Sequence, residues 1–191
     1  MATTRSHAAG VKDARPRFVA GDRVPEHSLD GISGEAVRIP DPNGTVHLQF
    51  RRFAGCPYCN LHLRSIATRY DEIRAACVRE VIVFHSSAAD LVSYNEELPF
   101  PVIADPDKAL YHEFGVEAKA RALLNPRAWL PAIHGAATKR RPHSGDHRSG
   151  HLGLPADFLI ASDGTVLASK YGRHAFDQWT VDELLALASE H

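Results

Sequence analysis

Two cysteines separated by two residues constrain this chain most, because they follow a predicted strand and open a predicted helix. The strand runs from Thr45 to Phe53, and the helix begins at Pro57, between Cys56 and Cys59. Proline is favoured at the first helical position because it lacks the N–H that would be unsatisfied there. Cys56 is therefore predicted to be the N-cap residue, where free N–H groups and the helix dipole favour thiolate over thiol. This position predicts a nucleophilic cysteine.

The spacing of apolar residues predicts what the second cysteine does. We expect the helix to continue to about Ala76, with one apolar stripe formed by Cys56, Cys59, Leu63, Ile66, Tyr70, Ile73 and Cys77. Cys59 is then predicted to face the core, one turn below an exposed Cys56. This suits a pair in which Cys56 attacks and Cys59 resolves the mixed disulfide. Cys77 would lie roughly 27 Å further along the helix, too far for a disulfide, and is predicted to be a buried core cysteine.

The order of predicted elements indicates the fold class. It is β-α-β-α-β-α, then an insertion, then β-β-α, where the closing hairpin surrounds an Asp-Gly turn signal and the last helix opens with a capping box, Thr180 with Glu183. Alternating strands and helices predict parallel strands with helices on both faces, and the hairpin adds an antiparallel edge. We therefore expect a three-layer α/β, thioredoxin-like fold with a mixed central sheet and an insertion before the C-terminal hairpin.

Length and composition indicate a single domain and exclude several classes of protein. Residues 1–17 read as a disordered tail, and residues 18–191 as one domain with a Pro/His/Arg-rich insertion at about 118–153. The formal net charge of −1 argues against a nucleic-acid partner, and no apolar run reaches the roughly 18 residues of a membrane span. We find no export signal and expect a cytoplasmic protein. In that compartment a Cys-x-x-Cys pair is more often catalytic or metal-binding than structural.

Polar residues at the ends of neighbouring strands are candidates for a supporting role, because the carboxyl ends of parallel strands meet at one edge of a sheet. Arg51 and Arg52 end the first strand, and His85 ends the second. Each arginine either stabilises a Cys56 thiolate and holds a substrate, or reaches solvent. His85 is either a proton donor or a polar strand terminus, and we favour the latter. Trp129, in the insertion, either covers the site or packs the insertion onto the sheet.

Two other readings of the cysteine pair stay open. It could be half of a zinc site, which would need two histidines from elsewhere. His143, His147 and His151 are spaced by four residues, but Pro142 and several glycines oppose a helix there, and we predict no metal. Alternatively, the domain could be a binding module whose thiols do not turn over.

Three segments of the chain resemble a known group of proteins. RRFAGCPYC, LPADFLIASDGTVLASKYG and VDELLAL are similar to the peroxiredoxin-like branch of the thioredoxin superfamily, also described as alkyl hydroperoxide reductase/thiol-specific antioxidant-like. The resemblance covers Phe18 to the C terminus, apart from the insertion. It implies that Cys56 attacks and that Cys59 is the second cysteine. It also implies that Pro155 is a cis-proline beside the active-site sulfur, with the backbone of Leu154 offered to a substrate.

The resemblance also implies the reaction. The expected enzyme reduces a hydroperoxide or a disulfide and is regenerated by a thiol reductant, either a thioredoxin-like protein or a low-molecular-weight thiol. It needs no cofactor, and a homodimer is a candidate assembly. The sequence departs from the group that it resembles at two positions. Gln49 stands where peroxiredoxins have a proline, and Phe53 stands where they have a Thr or Ser whose hydroxyl orients the peroxide.

Overall fold

The structure is a computed structural model that describes residues 17–53, 55–95, 98–116 and 154–191. The predicted tail, apart from Arg17, and all of the predicted insertion, including Trp129, lie outside these residues. The described strands and helices follow one another along the chain in the order β1 (His27–Asp30), β2 (Ala36–Ile39), β3 (Thr45–Arg51), α1 (Pro57–Thr68), α2 (Tyr70–Ala75), β4 (Val78–Phe84), α3 (Ala88–Asn95), β5 (Val102–Ala104), α4 (Ala109–Glu113), β6 (Ala156–Ile160), β7 (Val166–Tyr171) and α5 (Val181–Ser189).

The central sheet has the mixed topology that the sequence predicts. Its strand order is β5-β4-β3-β6-β7. The strands β3, β4 and β5 are parallel, whereas β6 runs antiparallel to β3 and pairs with β7 in the closing hairpin. The expected α/β, thioredoxin-like architecture is confirmed. β3 lies at the centre of the sheet and pairs with β4 on one side and β6 on the other. The segment that follows β3 therefore starts from a fixed position.

The two faces of β3 differ in chemistry. Val46, Leu48 and Phe50 face one apolar core, which includes Phe114 beyond α4. The alternate residues, between these three, are polar and face the side of the sheet that α1 covers. On that side Cys56 and Cys59 belong to a second apolar core, with Leu63, Ile66, Ile73 and Leu184. The site cysteines therefore lie between the central strand and its covering helix.

The single long helix expected from Pro57 to about Ala76 is instead two helices. Arg69, with φ −110° and ψ 21°, separates α1 from α2. The helical stripe holds as far as Ile73, but Cys77 lies beyond α2 in a turn with φ 57°. It is exposed, and its carbonyl accepts a hydrogen bond from Thr45 N–H at 3.3 Å. The prediction of a buried Cys77 is wrong, because the chain leaves the helix at this point to enter β4.

The N-terminal part of the domain is more regular than the sequence suggests. The predicted elements begin with the strand at Thr45, but β1 and β2 precede it and form an antiparallel hairpin, with His27 opposite Ile39. Gly31 and Gly34 lie in the turn between them, and Gly34 has φ 88°. At the other end of the chain, the predicted capping box of α5 is confirmed, since Thr180 and Glu183 bond reciprocally at 2.7 and 3.2 Å.

Candidate active site

The strand-to-helix junction after β3 places the two cysteines at the start of α1. Cys56 is the N-cap residue and Pro57 is the first helical residue, as predicted. The Cys56 N–H donates to Phe53 O at 3.2 Å, and Cys56 O accepts from Asn60 N–H at 3.0 Å. Neither cysteine forms a disulfide, and both are completely buried. The expectation of an exposed Cys56 is therefore wrong, because Cys56 packs into the same apolar core as Cys59 and Leu63.

A buried guanidinium lies beside the Cys56 sulfur. Arg52 Nη1 donates to Cys56 Sγ across 3.8 Å, and the Arg52 side chain is only 3% exposed. Its Cζ atom lies 5.3 Å from the centre of the Phe53 ring. Cys56 makes no side-chain capping hydrogen bond to the first turn of α1. The cationic contact of its sulfur comes from Arg52 instead. The alternative that Arg52 extends into solvent is wrong.

Cys59 is held in the protonated form by its surroundings. Burial raises its pKa well above the usual value of 9.0, and the hydrogen bond and charge of Cys56 raise it further. A backbone hydrogen bond from Arg52 and the charge of Arg51 oppose this rise but do not overcome it. This raised pKa keeps the Cys59 thiol protonated next to the Cys56 sulfur.

His85 and Tyr111 lie next to the ends of β3 and β4. His85 directly follows β4, and Tyr111 belongs to α4. His85 is buried, and its backbone N–H donates to Arg52 O at 3.3 Å. Its ring packs edge-on against that of Tyr111, with the centroids 5.6 Å apart. Tyr111 donates to Arg51 O and lies 2.9 Å from Val83 O, so it joins the two strand ends. Burial, followed by the charge of Cys59, raises the pKa of Tyr111 well above 10.0. That His85 is a polar strand terminus and not a proton donor stays a prediction.

Arg51 is completely buried, and its guanidinium belongs to a polar network. Its Nη2 donates to Asp157 Oδ1 at 2.7 Å and to the side-chain oxygen of Gln49, and it lies 3.1 Å from His62 Nε2 on α1. Burial and the adjacent guanidinium lower the pKa of His62 well below 6.5. The alternative that Arg51 reaches solvent is wrong, and its guanidinium is already engaged by protein groups.

The network continues along the sheet through a buried histidine. His47 Nδ1 lies 2.9 Å from Glu80 Oε2, and His47 Nε2 lies 3.3 Å from Asp157 Oδ1. Burial alone would lower the pKa of His47, but the charge of Glu80 and the interactions with Asp157 raise it to about 9. Burial opposes ionisation of Asp157 too, yet Arg51 and His47 hold its pKa well below 3.8. Two buried cations and two buried carboxylates therefore balance one another under α1.

Pro155 and Leu154 do not take the conformation that the resemblance implies. Within the described ranges the one cis peptide bond is Ile39–Pro40, so the cis prediction for Leu154–Pro155 is wrong. Pro155 O accepts from Gly172 N–H at 2.8 Å, which extends the β6–β7 pairing, so the chain already enters β6 in extended form. A side chain at position 172 would overlap Pro155. The expected alignment of a substrate by the Leu154 backbone depended on that cis bond and is therefore not supported.

The fold and the buried dithiol define a thioredoxin-like thiol protein, and comparison with known families makes this specific. The model of the AhpC/TSA family matches residues 20–169. The chain belongs to this family and is a thiol-dependent oxidoreductase. Among curated protein sequences no match is found.

Solved structures share this fold at low sequence identity. Peroxidoxin BcpB from Mycobacterium tuberculosis is similar with a TM-score of 0.66 and 18% identity, over 91% of this chain and 98% of the other. A putative thiol:disulfide interchange protein DsbE from Chlorobium tepidum gives 0.56 and 20%, over 88% and 97%. Peroxiredoxin Q from Xanthomonas campestris gives 0.60 and 16%, over 86% and 90%. The fold is thus shared with a peroxidoxin, a peroxiredoxin and a putative thiol:disulfide interchange protein.

Two features of the described residues concern metal binding and membrane crossing. No group of three or more His, Cys, Asp or Glu side chains among these residues is arranged to hold a metal ion. The three histidines spaced by four lie outside them. Within the same part of the chain, none of the helices combines the length and the apolar character needed to cross a membrane.

Proposed function

We propose that this protein is a two-cysteine thiol peroxidase in which Cys56 attacks a hydroperoxide and Cys59 resolves the oxidised sulfur. The contact that carries the proposal is Arg52 Nη1 to Cys56 Sγ at 3.8 Å in a buried site. A cation next to a cysteine favours the thiolate, which is the nucleophilic form. Cys59, with its raised pKa, keeps a proton beside that thiolate.

The proposed cycle is balanced with a hydroperoxide and two external thiols. The Cys56 thiolate attacks the outer peroxide oxygen, so that an S–O bond forms, the O–O bond breaks, and the released alkoxide takes a proton to leave as an alcohol. The Cys59 sulfur then attacks the sulfenic sulfur of Cys56, forming the disulfide and releasing water. Two equivalents of an external thiol reduce the disulfide by exchange and leave as the oxidised reductant.

The substrate and the reductant are proposed by class. A hydroperoxide group contains only two oxygen atoms, so it can approach a buried sulfur with less displacement of protein than a folded protein disulfide needs. A thioredoxin-like protein or a low-molecular-weight thiol is the proposed reductant. A cytoplasmic setting would supply both kinds of reductant. The homodimer stays a prediction.

A second candidate function is the reduction of small disulfides, and residues in β3 and after it favour it. Phe53 stands where peroxiredoxins have a Thr or Ser. The Gln49 side chain is already hydrogen-bonded to Glu80 and Arg51. Neither side chain offers the hydroxyl that orients a peroxide in that group. The same Cys56 and Cys59 roles would serve this reaction.

Coupled turnover distinguishes the two candidates. NADPH consumption through thioredoxin and its reductase is measured with cumene hydroperoxide and, in parallel, with bis(2-hydroxyethyl) disulfide. We expect faster turnover with the hydroperoxide and loss of both activities in Cys56→Ser. Faster turnover with the disulfide would select the second candidate. Turnover of either substrate by Cys56→Ser would refute the proposed nucleophile.

A further inference from the structure

The peptide group between Arg51 and Arg52 connects the end of β3 to the dithiol. Arg52 contacts both cysteines, since its Nη1 donates to Cys56 Sγ across 3.8 Å and its backbone forms a hydrogen bond with Cys59. The backbone hydrogen bond favours the charged form of Cys59, so its donor is the Arg52 N–H. The carbonyl of the same peptide group belongs to Arg51. A contact that orients this carbonyl therefore also orients the N–H that reaches Cys59.

The hydroxyl of Tyr111 provides such a contact. It donates to Arg51 O, and it also lies 2.9 Å from Val83 O on the neighbouring strand β4. Burial and the charge of Cys59 raise the pKa of Tyr111 well above 10.0, so the hydroxyl keeps its proton and remains a donor. The hydrogen bonds thus form one chain, from the Tyr111 O–H through the peptide group to the Cys59 sulfur.

Tyr111 is itself fixed against the end of the sheet. The carboxylate of Asp105 accepts from the backbone N–H groups in the first turn of α4, including that of Tyr111 at 3.3 Å. The Asp105 N–H donates in turn to the carbonyl of Phe84, the last residue of β4, at 2.8 Å. The Tyr111 ring packs edge-on against that of Phe50, with the centroids 4.9 Å apart. The hydroxyl therefore meets the Arg51 carbonyl from a fixed position.

We propose that Tyr111 is a positioning residue for Cys59, because its hydroxyl holds and polarises the peptide group whose N–H donates to the Cys59 sulfur. The inference rests on the proposed function, in which Cys59 resolves the oxidised Cys56. Cys59 must lose its proton to attack, and burial opposes that loss. Hydrogen bonds in a chain polarise one another, so a bond to the carbonyl makes the N–H of the same peptide group a stronger donor. Tyr111 thereby favours the Cys59 thiolate and speeds the resolving step.

A disulfide reagent isolates the resolving step without a hydroperoxide. In a Cys77→Ser background, the Cys56 thiolate attacks one sulfur of DTNB, so a mixed disulfide forms and one thionitrobenzoate leaves. Cys59 then loses its proton to solvent and attacks the Cys56 sulfur, which forms the Cys56–Cys59 disulfide and releases the second thionitrobenzoate. Stopped-flow absorbance with one equivalent of DTNB separates these two phases.

Removal of the hydroxyl should slow the second phase alone. We expect Tyr111→Phe to slow it about threefold, which is the net effect of a tenfold loss of Cys59 thiolate, because a more basic thiolate is also a better nucleophile. The first phase should stay close to that of the parent, since the Arg52 side chain still contacts Cys56. A merely structural role for Tyr111 would not separate the two phases in this way.

Two further variants separate the hydrogen bond from the packing of the ring. Tyr171→Phe is the matched control, because the Tyr171 hydroxyl on β7 donates to the carbonyl of Phe114 at 2.8 Å, and its loss should change neither phase. Replacement of Tyr111 by meta-fluorotyrosine keeps the ring and the hydroxyl but makes the hydroxyl the more acidic donor. This variant should speed the second phase, and it decides the question if Tyr111→Phe does not fold.

The failure of the inference differs from that of the proposed function. A second phase that Tyr111→Phe and the fluorinated variant leave unchanged would overturn the inference alone, as would equal slowing of both phases by Tyr111→Phe. A parent protein that releases only one thionitrobenzoate would show that Cys59 does not resolve Cys56, and the proposed function would then fall together with the inference.

Discussion

The guanidinium of Arg51 and the carboxylate of Asp157 form an ion pair of 2.7 Å in which both side chains are completely buried. Two neighbouring strands of the central sheet contribute the partners, and the pair lies beneath the helix that begins with the site cysteines. Arg51 also donates to Gln49 and lies 3.1 Å from His62 Nε2, and Asp157 Oδ1 lies 3.3 Å from His47 Nε2. This pairing explains how two charges persist in the interior of the domain.

Removal of one partner should therefore be costly. We expect Arg51→Met to lower the free energy of unfolding by about 3–5 kcal/mol, because it leaves the Asp157 carboxylate buried without its cation. Urea unfolding followed by circular dichroism measures this change. Arg23→Met is the matched control, since Arg23 pairs with Asp163 on the surface, and its unfolding midpoint should stay close to that of the parent. Equal midpoints for the two variants would show that the buried pair has no special weight.

The buried histidine predicts how stability depends on pH. In the folded protein the pKa of His47 is about 9, above the usual value of 6.5. A raised folded-state pKa contributes stability that is fully present below about pH 6.5 and is lost as pH rises through about 9. The difference corresponds to about 3 kcal/mol. Between pH 6 and pH 10 the parent should lose about that much more stability than His47→Gln, measured by urea unfolding. Parallel pH profiles for the two proteins would contradict this prediction.

The contact between Arg52 and Cys56 predicts selective reactivity. Iodoacetamide at pH 7 should modify Cys56 much faster than Cys59, whose raised pKa keeps it protonated. Arg52→Met should slow alkylation of Cys56 about tenfold, because a neighbouring cation that favours thiolate is removed. Peptide mass spectrometry at timed intervals gives the rates. Arg74→Met, which changes an arginine on α2, is the control and should leave the rate unchanged. An unchanged rate in Arg52→Met would exclude Arg52 as the activating group.

The exposed third cysteine should be dispensable. Cys77 lies in the turn before β4 and outside the buried site. Cys77→Ser should retain hydroperoxide turnover within about twofold, whereas Cys59→Ser should stop after one equivalent of hydroperoxide, with Cys56 oxidised to the sulfenic acid. Peroxide consumption at limiting substrate distinguishes these outcomes. Loss of turnover in Cys77→Ser would contradict the two-cysteine cycle.

The sequence predicted those parts of the fold that depend on local signals. The β3–α1 junction follows from Pro57 at the first helical position, and the β6–β7 hairpin follows from the Asp163-Gly164 turn. The start of α5 follows from Thr180 and Glu183. Each of these features depends on residues a few positions apart. The break at Arg69 carries no comparable marker, so the apolar stripe continued through it and misplaced Cys77.

The buried network depends on residues distant in sequence, and the sequence reading missed most of it. Polar residues alternate along β3, a pattern that ordinarily indicates a face exposed to solvent. In this fold α1 covers that face, and Glu80 and Asp157 arrive from the two neighbouring strands. The signal available was a polar alternation on a central strand, which must find buried partners. The burial of Cys56 was missed for a related reason, since it depends on packing against core residues distant in sequence, such as Leu159 and Trp179.

One measurement tests the central claim that Cys56 attacks and Cys59 resolves. The reduced protein is treated with one equivalent of cumene hydroperoxide, and its non-reduced peptides are analysed by mass spectrometry, together with Cys59→Ser treated in the presence of dimedone. The account predicts a Cys56–Cys59 disulfide within one chain and a dimedone adduct on Cys56 in the variant. A disulfide that involves Cys77, or a sulfenic acid absent from Cys56, would contradict it.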